Sequence, residues 1–110
     1  MSDWVDVLGL DAAADRKPVR VAAGDAAVLL LRIGDDLFAI GDTCTHQGAQ
    51  LHRGTVKVAG SVRSVTCPAH GSMFRLDDGT VLRPPATRPV PVYDVRVEGG
   101  RILLRARAAG

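Results

Sequence analysis

The chain has 110 residues, of which 46% are hydrophobic, and its net charge at neutral pH is +2. This length predicts a single domain, residues 1–110, with one compact core. No run reaches the roughly 18 apolar residues of a membrane span, and the acidic N-terminal segment does not resemble a secretory signal. We therefore expect a monomeric, cytoplasmic protein with no membrane partner.

Short, Val-rich apolar runs separated by turn signals predict an all-β, antiparallel sandwich or barrel. The turn signals GDD, AGS, DDG and EGG each lie where a hairpin would turn. A single helical turn is predicted for residues 11–17, which Pro18 ends. The predicted strands are Trp4–Leu8, Val19–Ala22, Ala27–Ile33, Leu37–Ile40, Thr55–Val58, Val62–Thr66, Met73–Leu76, Tyr93–Val97 and Arg101–Arg105.

The segment LRPPATRPVP, residues 82–91, contains four prolines. Each proline removes a backbone donor, so this segment cannot form an interior strand. We expect an ordered, stiff loop.

Two cysteine–histidine pairs follow predicted strands: Cys44 and His46 in CTH, and Cys67 and His70 in CPAH. They lie on two loops, at about residues 43–54 and 66–75. In a reducing cytosol we expect these cysteines to be ligands or reactive thiols rather than a disulfide. Two thiolates and two imidazoles suit either a tetrahedral zinc ion or a [2Fe–2S] cluster with two histidines on one iron.

The spacing within the pairs favours the cluster. Structural zinc sites usually begin with two cysteines and end with two histidines, whereas here each half is mixed. The sequence resembles the Rieske family, whose cluster loops read C-x-H and C-x₂-H. CTH, CPAHG, an MF strand with its DDG turn, and a proline-rich segment occur in family order, over essentially the whole chain.

This resemblance implies a Rieske-type antiparallel fold with a small cluster-binding subdomain of two loops. It implies one [2Fe–2S] cluster, with Cys44 and Cys67 on the inner iron and His46 and His70 on the outer iron. Neutral imidazoles in place of two thiolates raise the reduction potential relative to a four-cysteine cluster. His52 fits no ligand position and is interpreted as an ordinary loop residue, and Asp42 as the residue that ends a strand.

Departures from the pattern indicate which kind of Rieske protein this is. Relatives in respiratory cytochrome bc-type complexes resemble it but have a disulfide-forming cysteine in each loop, where this chain has Ala49 and Ala69. Catalytic oxygenase subunits need a further domain with mononuclear iron. The resemblance therefore implies an electron carrier, not an enzyme: a ferredoxin of aromatic hydrocarbon catabolism, between an NAD(P)H-dependent flavin reductase and a terminal oxygenase. The alternative is the small subunit of an assimilatory nitrite reductase.

Charge is unevenly distributed along the chain. Residues 1–43 carry a net charge of −4 and residues 44–110 a net charge of +6, so the half with the predicted ligands is basic. The basic residues are dispersed without interleaved aromatic residues, so we expect no nucleic-acid partner. An acidic protein partner remains open.

Two residues beside the second pair bear on the redox potential. In high-potential relatives, a serine after the C-x₂-H-G turn and a tyrosine two residues later donate hydrogen bonds to sulfur. Ser72 matches the serine, but Phe74 stands in place of the tyrosine. The resemblance implies a midpoint in the lower part of the Rieske range.

Overall fold

The computed structural model describes residues 3–107, which form ten strands in three sheets and two short 3₁₀ helices. The strands are β1 (Val5–Gly9), β2 (Val19–Ala23), β3 (Ala26–Ile33), β4 (Asp36–Gly41), β5 (Thr55–Ala59), β6 (Val62–Thr66), β7 (Met73–Arg75), β8 (Val81–Arg83), β9 (Tyr93–Glu98) and β10 (Arg101–Ala106). Within each sheet, neighbouring strands are antiparallel. The all-β prediction is confirmed.

The middle sheet, β2–β3–β4, is buried on both faces. Strand β3 reads AAVLLLRI, in which residues 26–31 are a continuous apolar run of the kind found where a strand has no solvent-facing side, and Arg32 is the one charged residue. Its side chains alternate between two hydrophobic cores. Leu29, Leu31 and Ile33 belong to one core, and Val28 and Leu30 to the other.

The prediction of one compact core was wrong, because two cores lie on opposite sides of this middle sheet. The first core joins it to the sheet β5–β6–β7–β8 and includes both cysteines. The second core joins it to the sheet β1–β10–β9, through Ile102 and Leu104 of β10. The predicted cluster loops therefore rest on only one of the two cores.

The structure corrects two details of the predicted elements. Strand β8 was not predicted, because it is only three residues long and is followed directly by Pro84. The predicted helical turn over 11–17 was wrong: the 3₁₀ helix spans Leu10–Ala12, and Arg16 has a φ of 60°. Tertiary contacts override local propensity here, since the Arg32 side chain donates to the Ala13 carbonyl (2.6 Å) and the Gly34 N–H donates to the Asp15 carboxylate (2.8 Å).

The segment 84–91, hereafter the proline loop, begins with a cis peptide bond between Pro84 and Pro85. Its Ala86 and Val90 are buried in the first core. The Val90 N–H donates to the Gly79 carbonyl (3.0 Å), and the Pro91 carbonyl accepts from the Gly41 N–H (2.8 Å). The prediction of an ordered loop agrees with these contacts.

Within residues 3–107, no helix has the length and apolar character needed to cross a bilayer.

Candidate metal centre

The first loop, residues 42–54 between β4 and β5, turns tightly at its start. The Cys44 N–H donates to the Ala49 carbonyl (2.8 Å), and the Gly48 N–H donates back to the Cys44 carbonyl (2.9 Å). Gly48 has a φ of 79°, in the left-handed region that favours glycine. These bonds fold the segment that carries His46 into a closed turn.

The second loop, residues 67–72 between β6 and β7, has the same backbone frame. The Cys67 N–H donates to the Ser72 carbonyl (2.7 Å), and the Gly71 N–H donates to the Cys67 carbonyl (3.1 Å). Gly71 has a φ of 80°. In both loops a cysteine opens the turn and a left-handed glycine four residues later closes it, so the two differ mainly in the position of the histidine.

The four predicted ligands come together as two pairs. Cys44 and Cys67 are buried in the first core, with 2% and 3% of their surface exposed. The rings of His46 and His70 meet edge to face, with centroids 5.2 Å apart, and both have solvent-accessible surface. Among residues 3–107, no three or more His, Cys, Asp or Glu side chains are placed around a single metal ion. A [2Fe–2S] cluster of this type takes its protein ligands in two pairs, one for each iron.

The surroundings of Cys44 suit a sulfur ligand. Burial raises the pKa of the Cys44 thiol, and the nearby Cys67 thiol raises it further. The backbone N–H groups of His46 and Gln47 act in the opposite direction on this pKa, because they hydrogen-bond to the sulfur and favour the thiolate. Hydrogen bonds from the loop backbone to ligand sulfur also orient ligands and tune metal centres.

A buried carboxylate fixes the two ends of the first loop to each other. Asp42 is 1% exposed, and its carboxylate accepts from the His52 backbone N–H and contacts His52 Nδ1, each at 2.7 Å. Arg20 Nε lies 3.8 Å from the same carboxylate. The interpretation of His52 as an ordinary loop residue, and of Asp42 as merely ending a strand, missed this pair.

The proline loop contacts both cysteine loops. Its Ala86 N–H donates to Ser72 Oγ (3.0 Å), and its Arg88 carbonyl accepts from Thr45 Oγ1 (2.6 Å). Ser72 is fully buried and keeps its hydroxyl hydrogen for a second partner. Phe74 is also fully buried, between Val65 on β6 and Val81 on β8 in the sheet register.

Comparison with known proteins identifies the family. A profile described as "Rieske-like [2Fe-2S] domain" matches residues 3–105. The chain belongs to the Rieske [2Fe–2S] family. It is 31% identical over 102 residues to the anthranilate 1,2-dioxygenase ferredoxin subunit of Burkholderia cepacia, which covers 93% of this chain and 91% of the relative. It carries a Rieske-type [2Fe–2S] cluster, and, like the ferredoxin subunits to which it is similar, it is an electron carrier and not itself an enzyme.

Two solved structures share the Rieske fold across nearly the whole chain. One is a complex of reduced oxygenase and oxidized ferredoxin in carbazole 1,9a-dioxygenase, with 29% identity, a TM-score of 0.83, and coverage of 99% of this chain and 100% of the matched one. The other is a putative NADH-dependent nitrite reductase small subunit from Mycobacterium tuberculosis, with 34% identity, a TM-score of 0.83, and coverage of 97% and 96%.

Proposed function

We propose that Cys44 and Cys67 hold one iron of the cluster and His46 and His70 hold the other. One arrangement carries this proposal: two loops with the same hydrogen-bond frame bring two thiols together in the core and two imidazoles together at the surface. When bound, the cluster accepts and releases one electron at a time. The chain's own part is to exclude water from the sulfur side and to leave the imidazole side accessible to a partner.

The proposed role is that of a ferredoxin in a ring-hydroxylating dioxygenase system, located in the cytoplasm. A flavin reductase takes two electrons from NAD(P)H and delivers them singly, and the ferredoxin passes each one to a terminal oxygenase. Similarity to the ferredoxin subunit of anthranilate dioxygenase, and to the ferredoxin in the carbazole dioxygenase complex, supports this role. The accessible edge of His70 suits a short-lived encounter with each partner.

A second candidate function is the small subunit of an assimilatory nitrite reductase. The 34% identity to the Mycobacterium tuberculosis protein supports it, and that similarity spans nearly the whole chain. The two functions differ in partnership, because a shuttle dissociates from its partners whereas an enzyme subunit stays bound.

Spectroscopy on purified variants tests the ligand assignment. We expect the native protein to be red-brown, with two irons and two labile sulfides per chain. His46→Ala and His70→Ala should lose this visible spectrum, whereas His52→Ala, the matched control in the same loop region, should keep it. A colourless native protein with one equivalent of zinc, or an unchanged spectrum in either ligand variant, would contradict the assignment.

Turnover distinguishes the two functions. The reduced protein is mixed with a purified aromatic-ring dioxygenase and its substrate, or with the large subunit of a nitrite reductase and nitrite. We expect substrate-dependent reoxidation only with the dioxygenase, and elution as a separate monomer in gel filtration. A stable complex with the nitrite reductase large subunit would favour the second function.

A further inference from the structure

The segments that form the candidate centre contain almost no acidic residues. Residues 43–76 include no Asp or Glu, and neither do residues 79–93. Both cysteine loops and the proline loop lie in these two stretches. Asp42, at the edge of the first stretch, is buried against His52. The exposed side chains of these loops are therefore neutral or cationic.

The arginines of the described residues 3–107 fall into two groups that differ in pairing. Several have a carboxylate within 4.0 Å, and their charge is locally compensated. Four exposed arginines of these residues have no such carboxylate: Arg16, Arg53, Arg83 and Arg88. The compensated ones include Arg63, Arg75, Arg96, Arg101, Arg105 and Arg107.

Three of these four, here named the arginine rim, each belong to a segment attached to the centre, whereas Arg16 lies in the connection between β1 and β2. Arg53 lies in the 3₁₀ helix Leu51–Arg53 near the end of the first loop. Arg83 is paired in register with Met73, the first residue after the second loop. The carbonyl of Arg88 accepts from Thr45, which stands between Cys44 and His46 in sequence.

Apart from His70, the accessible residues at the tip of the second loop and at the start of the proline loop are small or apolar. Pro68, Ala69 and His70 are exposed at the tip of the second loop, and Pro84 and Pro85 are exposed where the proline loop begins. An uncharged centre inside a charged rim is the usual anatomy of a protein–protein interface. A contact area of this kind on the two loops would include the exposed His70.

We propose that the redox partner of this face is a protein that presents carboxylates around its own electron-exchange site. The inference rests on the proposed function and specifies the partner's surface. Exposed guanidinium groups without local carboxylates attract an acidic surface over several ångströms and raise the rate of productive encounter. At physiological ionic strength the attraction acts within a Debye length of about 8 Å, so it favours fast, transient docking.

Charged small-molecule oxidants test the local field without a partner protein. The cluster is reduced with dithionite, and its reoxidation is followed by stopped flow. One electron passes from the reduced cluster to the iron(III)–EDTA anion or to the hexaamminecobalt(III) cation. With the native protein, we expect added salt to slow the reaction with the anion and to speed the reaction with the cation.

Two variants with equal changes of net charge locate the field. The rim variant combines Arg53→Gln, Arg83→Gln and Arg88→Gln, and the matched control combines Arg16→Gln, Lys17→Gln and Arg101→Gln. At low salt, we expect the rim variant to react with the anion roughly tenfold more slowly than the native protein, and the control to stay within about twofold. A rim variant made with lysines should keep the native rate.

Several outcomes would overturn the inference. Equal slowing in the rim and control variants would show that only net charge matters, and an unchanged rim variant would show that the arginines exert no field at the centre. If the triple variant loses its visible spectrum, the single variants give the same test, each with about a twofold effect. Absence of the visible spectrum in the native protein would instead refute the proposed function.

Polyanion competition distinguishes an acidic protein from nucleic acid. Poly-L-glutamate should slow reoxidation of the native protein by the iron(III)–EDTA anion and should have little effect on the rim variant. A single-stranded oligonucleotide of equal charge should compete no better than poly-L-glutamate. Markedly tighter, rim-dependent binding of the oligonucleotide would assign this surface to nucleic acid and overturn the inference.

Discussion

The two cysteine loops have the same backbone frame but are anchored by different chemistry. The first loop is closed by a charged group, the buried Asp42 carboxylate that contacts the backbone and ring of His52. The second loop is anchored by neutral groups: the buried Ser72 hydroxyl accepts from Ala86, and strands β6 and β7 pair directly beyond the loop. The same local turn can thus be anchored by a charged group or by neutral groups. Substituting the two anchors should therefore have different effects on stability and on the midpoint potential.

The largest expected effect comes from removing the charged anchor. Asp42→Ala leaves the His52 N–H without its acceptor and should lower the free energy of unfolding by about 3 kcal/mol. Asp36→Ala is the matched control, because Asp36 forms an exposed ion pair with Arg63 and should cost less than about 1 kcal/mol. Thermal unfolding monitored by cluster absorbance measures both. Equal losses would show that burial of the carboxylate does not matter.

Removing the neutral anchor should lower the free energy of unfolding by less, but it should also change the redox potential. Ser72→Ala leaves the buried Ala86 N–H without an acceptor, at a cost of about 2 kcal/mol. It also removes the hydroxyl hydrogen that the family resemblance assigns to cluster sulfur, so the midpoint should fall. Voltammetry on the variant and the native protein measures this shift. An unchanged midpoint would mean that Ser72 only braces the proline loop.

The shared frame predicts equal costs in the two loops. Gly48→Ala and Gly71→Ala each place a side chain at a φ near 80° without a clash, so each should cost about 1 kcal/mol through backbone strain alone. Gly60→Ala is the control, because Gly60 has a φ of 61° and also leaves room for a side chain but lies in the β5–β6 turn. Three similar losses in thermal stability would support the common frame. A much larger loss of thermal stability in one loop would show that the two loops do not share this frame.

The smallest effect is expected at the exposed contact between the first loop and the proline loop. Thr45→Val removes a hydrogen bond to the Arg88 carbonyl and should cost about 0.5 kcal/mol, since water can replace the hydroxyl. The midpoint should stay at the native value, in contrast with Ser72→Ala. A clear fall in the midpoint on this change would show that the proline loop tunes the centre through both of its contacts.

The strands could be predicted from the sequence where their formation depends on the pattern of neighbouring residues. Alternating or continuous Val and Leu runs and glycine-rich turns gave nine strands close to their observed bounds. The edge strand β8 was not predicted, because three residues beside a proline are too few to show an alternating hydrophobic pattern. The cysteine–histidine spacing predicted that both loops face one site, and the resemblance implied the pairing of the ligands; the structure brings Cys44 close to Cys67 and His46 close to His70. Their role as ligands, and a midpoint in the lower part of the Rieske range, stay predictions.

The contact between Asp42 and His52 could not be predicted in the same way. The two residues are ten positions apart, and neither belongs to a recognised spacing motif. Their meeting depends on the 3₁₀ helix at Leu51–Arg53, which turns His52 back toward the end of β4. The available signal was a lone aspartate next to an apolar strand end, which becomes informative only once its burial is known.

The middle sheet separates the core that contains both cysteines from a second core that contains none of the four predicted ligands. Alternate side chains of β3 point into separate cores, and both cysteines lie in only one of them. Leu104 and Ile102 lie in the second core, on the far side of the middle sheet from both cysteines. Effects of such distant sites on stability usually add independently. Thermostability can therefore be engineered on the β1–β10–β9 side, or a fluorescent label attached there, while the midpoint potential stays constant.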